Sequence, residues 1–241
     1  MRAETRHNLK EDRFSKTTID MAEKTVHWSA EHQSRLLLIG AIVLVVAAIA
    51  VGSWYYLNQQ DQKASVDLSV AIRTLDTPVR PPNMPPQPDN PSFASDHERA
   101  TTAHKQFQDI ISKYPHTHSA DFSHYFLGLT SVDLGDYPAA EKELQTVASY
   151  RNADLAALAK FALASVYRNT NRNPQAIEIY KQLEQKPATT VSKASAQLEL
   201  ANTYQTNNQP LEAKHLYEQM QKENPASPIA QMAAAKLRDL K

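Results

Sequence analysis

The sequence predicts an all-α chain: one N-terminal helix apolar enough to span a membrane, followed by a solenoid of helical hairpins. Three observations carry that expectation. The whole chain of 241 residues contains only four glycines, too few for the hairpin turns and corners of a β architecture. Residues 36–57, LLLIGAIVLVVAAIAVGSWYYL, form a 22-residue run without a charge. From residue 95 onward, small residues, leucines, aromatics and prolines recur at a spacing of 36 to 37 residues.

Composition narrows the functional classes before any motif is considered. Lys+Arg and Asp+Glu both number 26, so the chain carries no global basic field of the kind that holds nucleic acid. Cysteine is absent. That excludes disulfides, thiol nucleophiles and cysteine-based metal sites, and it is compatible with either redox compartment.

Residues 1–35 mix charges with a few apolar side chains (Leu9, Phe14, Ile19, Met21, Val26, Trp28) in an imperfect helical stripe, which fits a short solvated or interfacial helix. The apolar run follows. As helix, 22 residues reach about 33 Å, against a hydrocarbon core of about 30 Å. Arg35 closes one end, and Trp54, Tyr55 and Tyr56 close the other with rings suited to the headgroup region. Ala48 and Ala50 form an A-x-A, the mark of a cleaved signal peptide. The 35 residues ahead of the run are far too many for a signal n-region, however, and the run continues past the cut. An uncleaved anchor is therefore expected. Seven Lys/Arg lie in residues 1–35 and only Lys63 and Arg73 in residues 58–77. By the positive-inside rule the N-terminus is cytoplasmic and residues 58–241 lie outside.

Residues 62–76 read as a helix with Ala64, Leu68, Ala71, Ile72 and Leu75 on one face. Residues 77–91 hold seven of the fourteen prolines and predict an extended, polyproline-like loop. Beyond it the repeat begins. Ala140, Ala176 and Ala213 are preceded by Gly128, Ala164 and Ala201, each twelve residues earlier. Leu127, Leu163 and Leu200 stand just before those small residues, while Leu144, Tyr180 and Tyr217 stand four residues after the alanines. Tyr167 and Tyr204 share one further position, and Ala103 and Phe107 repeat the second half of the unit further upstream. Each unit thus reads as two helices whose small residues let the backbones approach. Pro138, Pro174 and Pro210 fall in the first turn of the second helix, after a turn residue (Gly135, Asn171 or Asn208) that tolerates positive φ. Residues 62–76 with 95–113 form the first unit, and 228–240 a terminal capping helix.

This pattern resembles the tetratricopeptide repeat, with small residues at its eighth and twentieth positions, leucine at the seventh, aromatics at the eleventh and twenty-fourth, and proline near the end. The period of 36 to 37 is longer than that family's 34, and no tryptophan opens a unit; related helical-hairpin repeats share the remaining features. The resemblance implies protein binding in a concave groove lined by the first helices. It places Phe122, Tyr125, Phe126, Leu129 and Val132 of one unit in the groove. Leu158, Phe161, Ala162, Ser165 and Arg168 of the next follow, then Ser195, Leu198, Glu199, Asn202 and Gln205 of the last. The groove would run from apolar to polar. Tyr125 and Leu129 stand where tail-clamping members carry basic and asparagine side chains, which argues against a carboxylate clamp. The layout as a whole also resembles the ancillary subunits of the bacterial Sec translocon. That resemblance implies a single-pass inner-membrane protein with a periplasmic repeat domain, in contact with the translocon and with exported polypeptides or periplasmic chaperones. An assembly factor for cell-envelope or division machinery has the same layout.

No catalytic frame is present: there is no glycine-rich phosphate loop, no G-x-S-x-G and no H-E-x-x-H. Five of nine histidines (His97, His104, His116, His118, His124) lie between 97 and 124. They lack the fixed helical spacing of a metal site. Neither an enzyme nor a cofactor is expected, and no metal; an envelope metal-binding protein using these histidines is the least favoured reading.

Overall fold

The computed structural model describes residues 32–85, 91–223 and 225–239. The stripe expected over residues 1–31 and the loop residues 86–90, with Pro86 and Pro88, lie outside it. Among the described residues there are nine α-helices and no strand: α1 Gln33–Asp76, α2 Asp96–Lys113, α3 His118–Asp133, α4 Tyr137–Ala148, α5 Ala153–Asn169, α6 Asn173–Gln185, α7 Lys193–Thr206, α8 Pro210–Glu223 and α9 Pro228–Asp239. The chain divides into two units between Tyr56 and Leu57.

The first unit contains the apolar part of α1. Its most apolar 18-residue window has a mean hydropathy of 2.8, and none of it is buried. Leu37, Leu44, Val51 and Trp54 are each about two-thirds or more exposed. Such a helix is long and apolar enough to cross a membrane. The sequence pattern suggests separate helices over 36–57 and 62–76, but one helix covers both. The intervening Asn58, Gln59, Gln60 and Asp61 are polar but include no glycine or proline to stop a helix.

The second unit is a succession of antiparallel helix pairs. Each helix from α2 to α9 packs on the next, and α3 also touches α5. In the first hairpin, Ala64 and Ala71 of α1 are fully buried against Ala103, Phe107 and Ile110 of α2, with Leu68, Ile72 and Leu75 around them. From Ala140 to Ala233 a second, continuous core runs through α4 to α9. Ala140, Ala164, Ala176, Ala201 and Ala213 have no exposed surface. Gly128 meets the same crossing: a Cβ there would fall 2.7 Å from Leu144 Cγ.

The turns show why these residues sit where they do. Gly135, Asn171 and Asn208 adopt φ of 78°, 60° and 61°. Each is followed by a backbone bond closing six residues: Asp136 N to Ser131 O, Arg172 N to Tyr167 O and Gln209 N to Tyr204 O, at 2.7 to 2.8 Å. This is the Schellman arrangement, which needs a left-handed residue at the helix end. Pro138 and Pro174 stand in the first turns of α4 and α6, and α8 starts at Pro210. Side-chain caps secure other starts, among them Ser95 to Glu98 N, Thr117 to Ala120 N, Asp136 to Ala139 N, and Asn152 to Asp154 N and Leu155 N.

The described ends of the proline-rich segment are not a free extended strap. Val79 pairs with Phe93, Arg80 N donates to Phe93 O at 2.9 Å, and Phe93 N donates to Pro78 O at 3.0 Å. Arg80 Nη1 adds a bond to Ser92 O at 2.9 Å, and Arg99 Nη1 reaches Thr77 O at 3.3 Å. The insertion between α1 and α2 is therefore closed at its base.

Candidate protein-binding groove

The first helices of the complete hairpins, α3, α5 and α7, carry the residues that the repeat pattern assigns to a groove. In α3, Phe122 is exposed, and Tyr125, Phe126 and Leu129 are half-buried. These four do not behave alike. Phe126 stacks on Phe107 of α2, centroids 5.1 Å apart and planes 11° apart, and so belongs to the packing between the first two hairpins. Such a stack contributes about 0.5 to 1.5 kcal/mol beyond its area. Tyr125 sets its ring edgewise on Phe126 at 5.4 Å. Burial pushes its hydroxyl pKa up, and no hydrogen bond to that hydroxyl is seen among the described residues. Phe122 and Leu129 also present carbon without a polar tie.

In α5, Phe161 is half-buried and meets the Tyr180 ring edge-on at 5.5 Å. From here the groove positions are engaged with the second helices or with one another. Ser165 Oγ lies 3.0 Å from the Tyr180 hydroxyl. Arg168 of α5 forms a short ion pair with Glu199 of α7, both side chains about a quarter exposed. Asn202 Nδ2 donates weakly to the same Glu199, at 3.4 Å, and Asn202 Oδ1 accepts from the Tyr217 hydroxyl at 2.8 Å. The Tyr217 hydroxyl is pushed up to about 12, mainly by burial and further by the Glu199 charge. Gln205 is half-buried at the end of the row.

A rule internal to the repeats emerges. Where the second helix carries tyrosine (Tyr180, Tyr217), the ninth position of the first helix carries a polar partner (Ser165, Asn202), and the two bond. Where it carries Leu144, that position is Leu129. Buried polar groups are met in pairs or absent in pairs, as the cost of an unpaired buried hydroxyl requires. At Ser165, Arg168, Glu199 and Asn202 the polar half of the candidate groove is thus internally satisfied, whereas the Gln205 side chain has no hydrogen-bond partner among the described residues and the apolar half around Phe122, Tyr125 and Leu129 stays open.

The spacing pattern does not reveal the ties between units that hold these helices. Arg172, at the start of α6, has no side-chain cap to offer; it places its guanidinium on Glu141 of α4 at 2.7 and 3.1 Å and stacks over the Tyr167 ring at 4.4 Å. That bond holds the Glu141 carboxyl below its usual range. An acidic residue in one second helix and an arginine in the next unit's turn was the available signal.

Three of the five histidines of residues 97–124 go to separate partners, His97 to Thr101 among them. His104 Nδ1 is 3.1 Å from Thr130 Oγ1, with its pKa lowered by burial, and His124 Nδ1 is 2.7 Å from Glu143. Among the described residues no group of three or more His, Cys, Asp or Glu is disposed to hold a metal ion.

Comparison with known proteins places this geometry. The family model for the tetratricopeptide repeat-like domain matches residues 26–188. Two solved structures of nearly identical TPR-like repeats, from a putative kinesin light chain of Podosopora anserina, superpose on the chain. The first has a TM-score of 0.57 at 17% identity, covering 75% of this chain and 86% of the other. The second, a point variant of the same repeats, gives 0.56 at 16%, covering 75% and 85%. At that identity the likeness is one of fold. No curated protein sequence matches significantly.

Proposed function

The chain belongs to the tetratricopeptide repeat-like domain family, and on that premise we propose that it is a non-enzymatic scaffold, anchored in a membrane by α1, whose groove takes extended polypeptide. The contrast between the two halves of the groove carries the reading. A polypeptide gains most where apolar surface is still open to water, at about 25 cal/mol per Å² buried. Phe122, Tyr125 and Leu129 offer such surface. Asn202 and Arg168 already have partners: Asn202 ties α7 to α8 and Arg168 ties α5 to α7, so neither is left to satisfy a client's backbone. Recognition through apolar and aromatic contact tolerates many sequences and gives weak binding.

A single anchor, a cytoplasmic N-terminus and a repeat domain outside the membrane would place this groove beside polypeptides leaving the Sec translocon of a bacterial inner membrane, or beside the periplasmic chaperones that receive them. The resemblance to ancillary translocon subunits and the charge bias about residues 36–57 support that setting. The test is binding of a fluorescein-labelled, permanently unfolded polypeptide to the full chain in non-ionic detergent, read by anisotropy. Phe122→Asp and Tyr125→Asp should each weaken it several-fold, while Asn202→Asp leaves it within two-fold. Equal loss from all three variants, or no binding to the parent, overturns the reading.

A further inference from the structure

A second surface of the repeat domain has a different character from the groove. Where α5 begins and α6 ends, a cleft of about 840 Å³ opens between the α4–α5 turn and the α6–α7 turn. Its floor is apolar and made of short side chains, with Ala156, Ala157 and Leu183 nearly without exposed surface. Three cations stand around it: Arg151, Lys160 and Lys186. Among the described residues none of the three charged side chains has an ion-pair or hydrogen-bond partner.

The single carboxylate lining the cleft, Asp154, is occupied. Its Oδ1 accepts from Thr189 N at 2.9 Å, while Thr190 Oγ1 donates to Asp154 O at 2.7 Å. These two bonds tie the α6–α7 turn to the first turn of α5, so the walls of the cleft are braced in the free protein. Tyr150 on the rim, raised chiefly by burial, feels the charge of Asp121 and then of Glu143, which is held by His124, and neither carboxylate lines the cleft.

We propose that this cleft is a docking site, separate from the groove, for an acidic segment of a partner protein. Charge complementarity selects the occupant: three unpaired cations around a concavity attract carboxylates, and water-exposed charges of one sign steer and orient an opposite partner. Shape selects a peptide over a lipid surface. A flat anionic membrane reaches the rim cations only, whereas a peptide also places an aliphatic side chain on the floor of Ala156, Ala157 and Leu183. The occupant is therefore a short stretch of alternating acidic and aliphatic residues. The inference does not rest on the groove reading, since the two surfaces share no lining residue.

The test uses the full chain in non-ionic detergent and a fluorescein-labelled peptide of alternating glutamate and leucine. Its glutamine counterpart, and phosphatidylglycerol doped into the micelles as a competitor, are measured beside it. Arg151→Glu, Lys160→Glu and Lys186→Glu should each weaken binding of the glutamate peptide by about five-fold or more at low salt, an effect of the size expected for rim charges. Lys105→Glu, an exposed charge on α2, should change it less than two-fold. Ala157→Leu, which fills the floor, should weaken binding with the charges intact; its circular dichroism must match the parent, and Ala156→Leu replaces it if it does not. Equal affinity for the glutamate and glutamine peptides, or an equal loss from Lys105→Glu, overturns the proposal. Absence of glutamate-peptide binding to the parent overturns it too, as does full displacement of the peptide by phosphatidylglycerol doped into the micelles, which assigns the cations to a membrane surface.

Discussion

Replacing Gly128 with alanine adds one carbon at the crossing of α3 and α4. That carbon would stand 2.7 Å from Leu144 Cγ and 2.9 Å from Leu144 Cδ2, against an optimal separation of about 3.5 to 4.0 Å. Leu144 is fully buried and has nowhere to retreat, so overpacking costs about 1 to 3 kcal/mol. Alanine in a helix interior returns about 1 kcal/mol relative to glycine. The expected net loss is about 1 kcal/mol, or a fall in Tm of about 2 to 4 °C for a domain of this size. Truncating Leu144 to alanine destabilises the fold by itself, by about 2 to 5 kcal/mol, yet it removes the clashing atoms. In that background Gly128→Ala should stabilise by about 1 kcal/mol, because only the helix-propensity gain remains. Denaturant unfolding of the full chain in non-ionic detergent, followed by circular dichroism, measures both legs of this cycle. The reasoning fails if Gly128→Ala has the same sign in the two backgrounds. The other units meet the same crossing differently, pairing Ala164 with Tyr180 and Ala201 with Tyr217.

Four further outcomes are expected. Tyr217→Phe leaves Asn202 Oδ1 without its 2.8 Å donor and should cost about 1 to 2 kcal/mol; adding Asn202→Leu, the pairing found at Leu129, should recover part of it. Because the Tyr217 hydroxyl is raised to about 12 in the fold, its stabilisation is complete below the ordinary tyrosine range near 10 and is lost as pH rises through the folded value; absorbance of tyrosinate should show a late-titrating fraction to which the raised Tyr125, Tyr150 and Tyr180 also contribute, and Tyr217→Phe should reduce it by one tyrosine. Glu141 has the opposite sense: its carboxyl is lowered chiefly by Arg172, so its contribution is present above the ordinary carboxylate range and fades as pH falls through the lowered value. The acid limb of a stability profile should flatten in Glu141→Gln, by a small amount because the pair is partly solvated. For the orientation of α1, a reporter active only outside the cytoplasm should work after Lys241 and fail before Met1, and the reverse pattern would invert the assignment.

The repeat is legible because its determinants are local. A left-handed turn residue, a proline in the next first turn and two small residues twelve apart state a hairpin without reference to anything distant. Gly135, Asn171 and Asn208 adopt the expected φ, and the terminal helix α9 falls where the pattern over 228–240 places it. What the sequence hides depends on contacts between units. Phe126 looks like a groove residue at its position in α3, but its partner Phe107 lies in the preceding hairpin. Asn202 looks available to a client until Tyr217 and Glu199 are seen on either side of it. Arg168 and Glu199 are 31 residues apart, and only the packing of both α5 and α7 on α6 makes them neighbours. The cleft at Arg151, Lys160 and Lys186 is hidden for the same reason, since its cations come from separate turns and a helix that the fold brings together. The joining of residues 36–57 and 62–76 in one helix was readable, since nothing between them breaks a helix.

The central claim is that the apolar half of the groove holds polypeptide, and photocrosslinking in cells tests it most directly. A photoreactive amino acid at position 125, beside Phe122 and Leu129, is compared with one at position 178, where Glu178 is exposed on α6. During active secretion, position 125 should capture a heterogeneous set of exported polypeptides and position 178 should not. The same proteins captured at equal yield from both positions, or nothing from position 125 while secretion proceeds, would contradict the groove assignment and leave the scaffold without a client site.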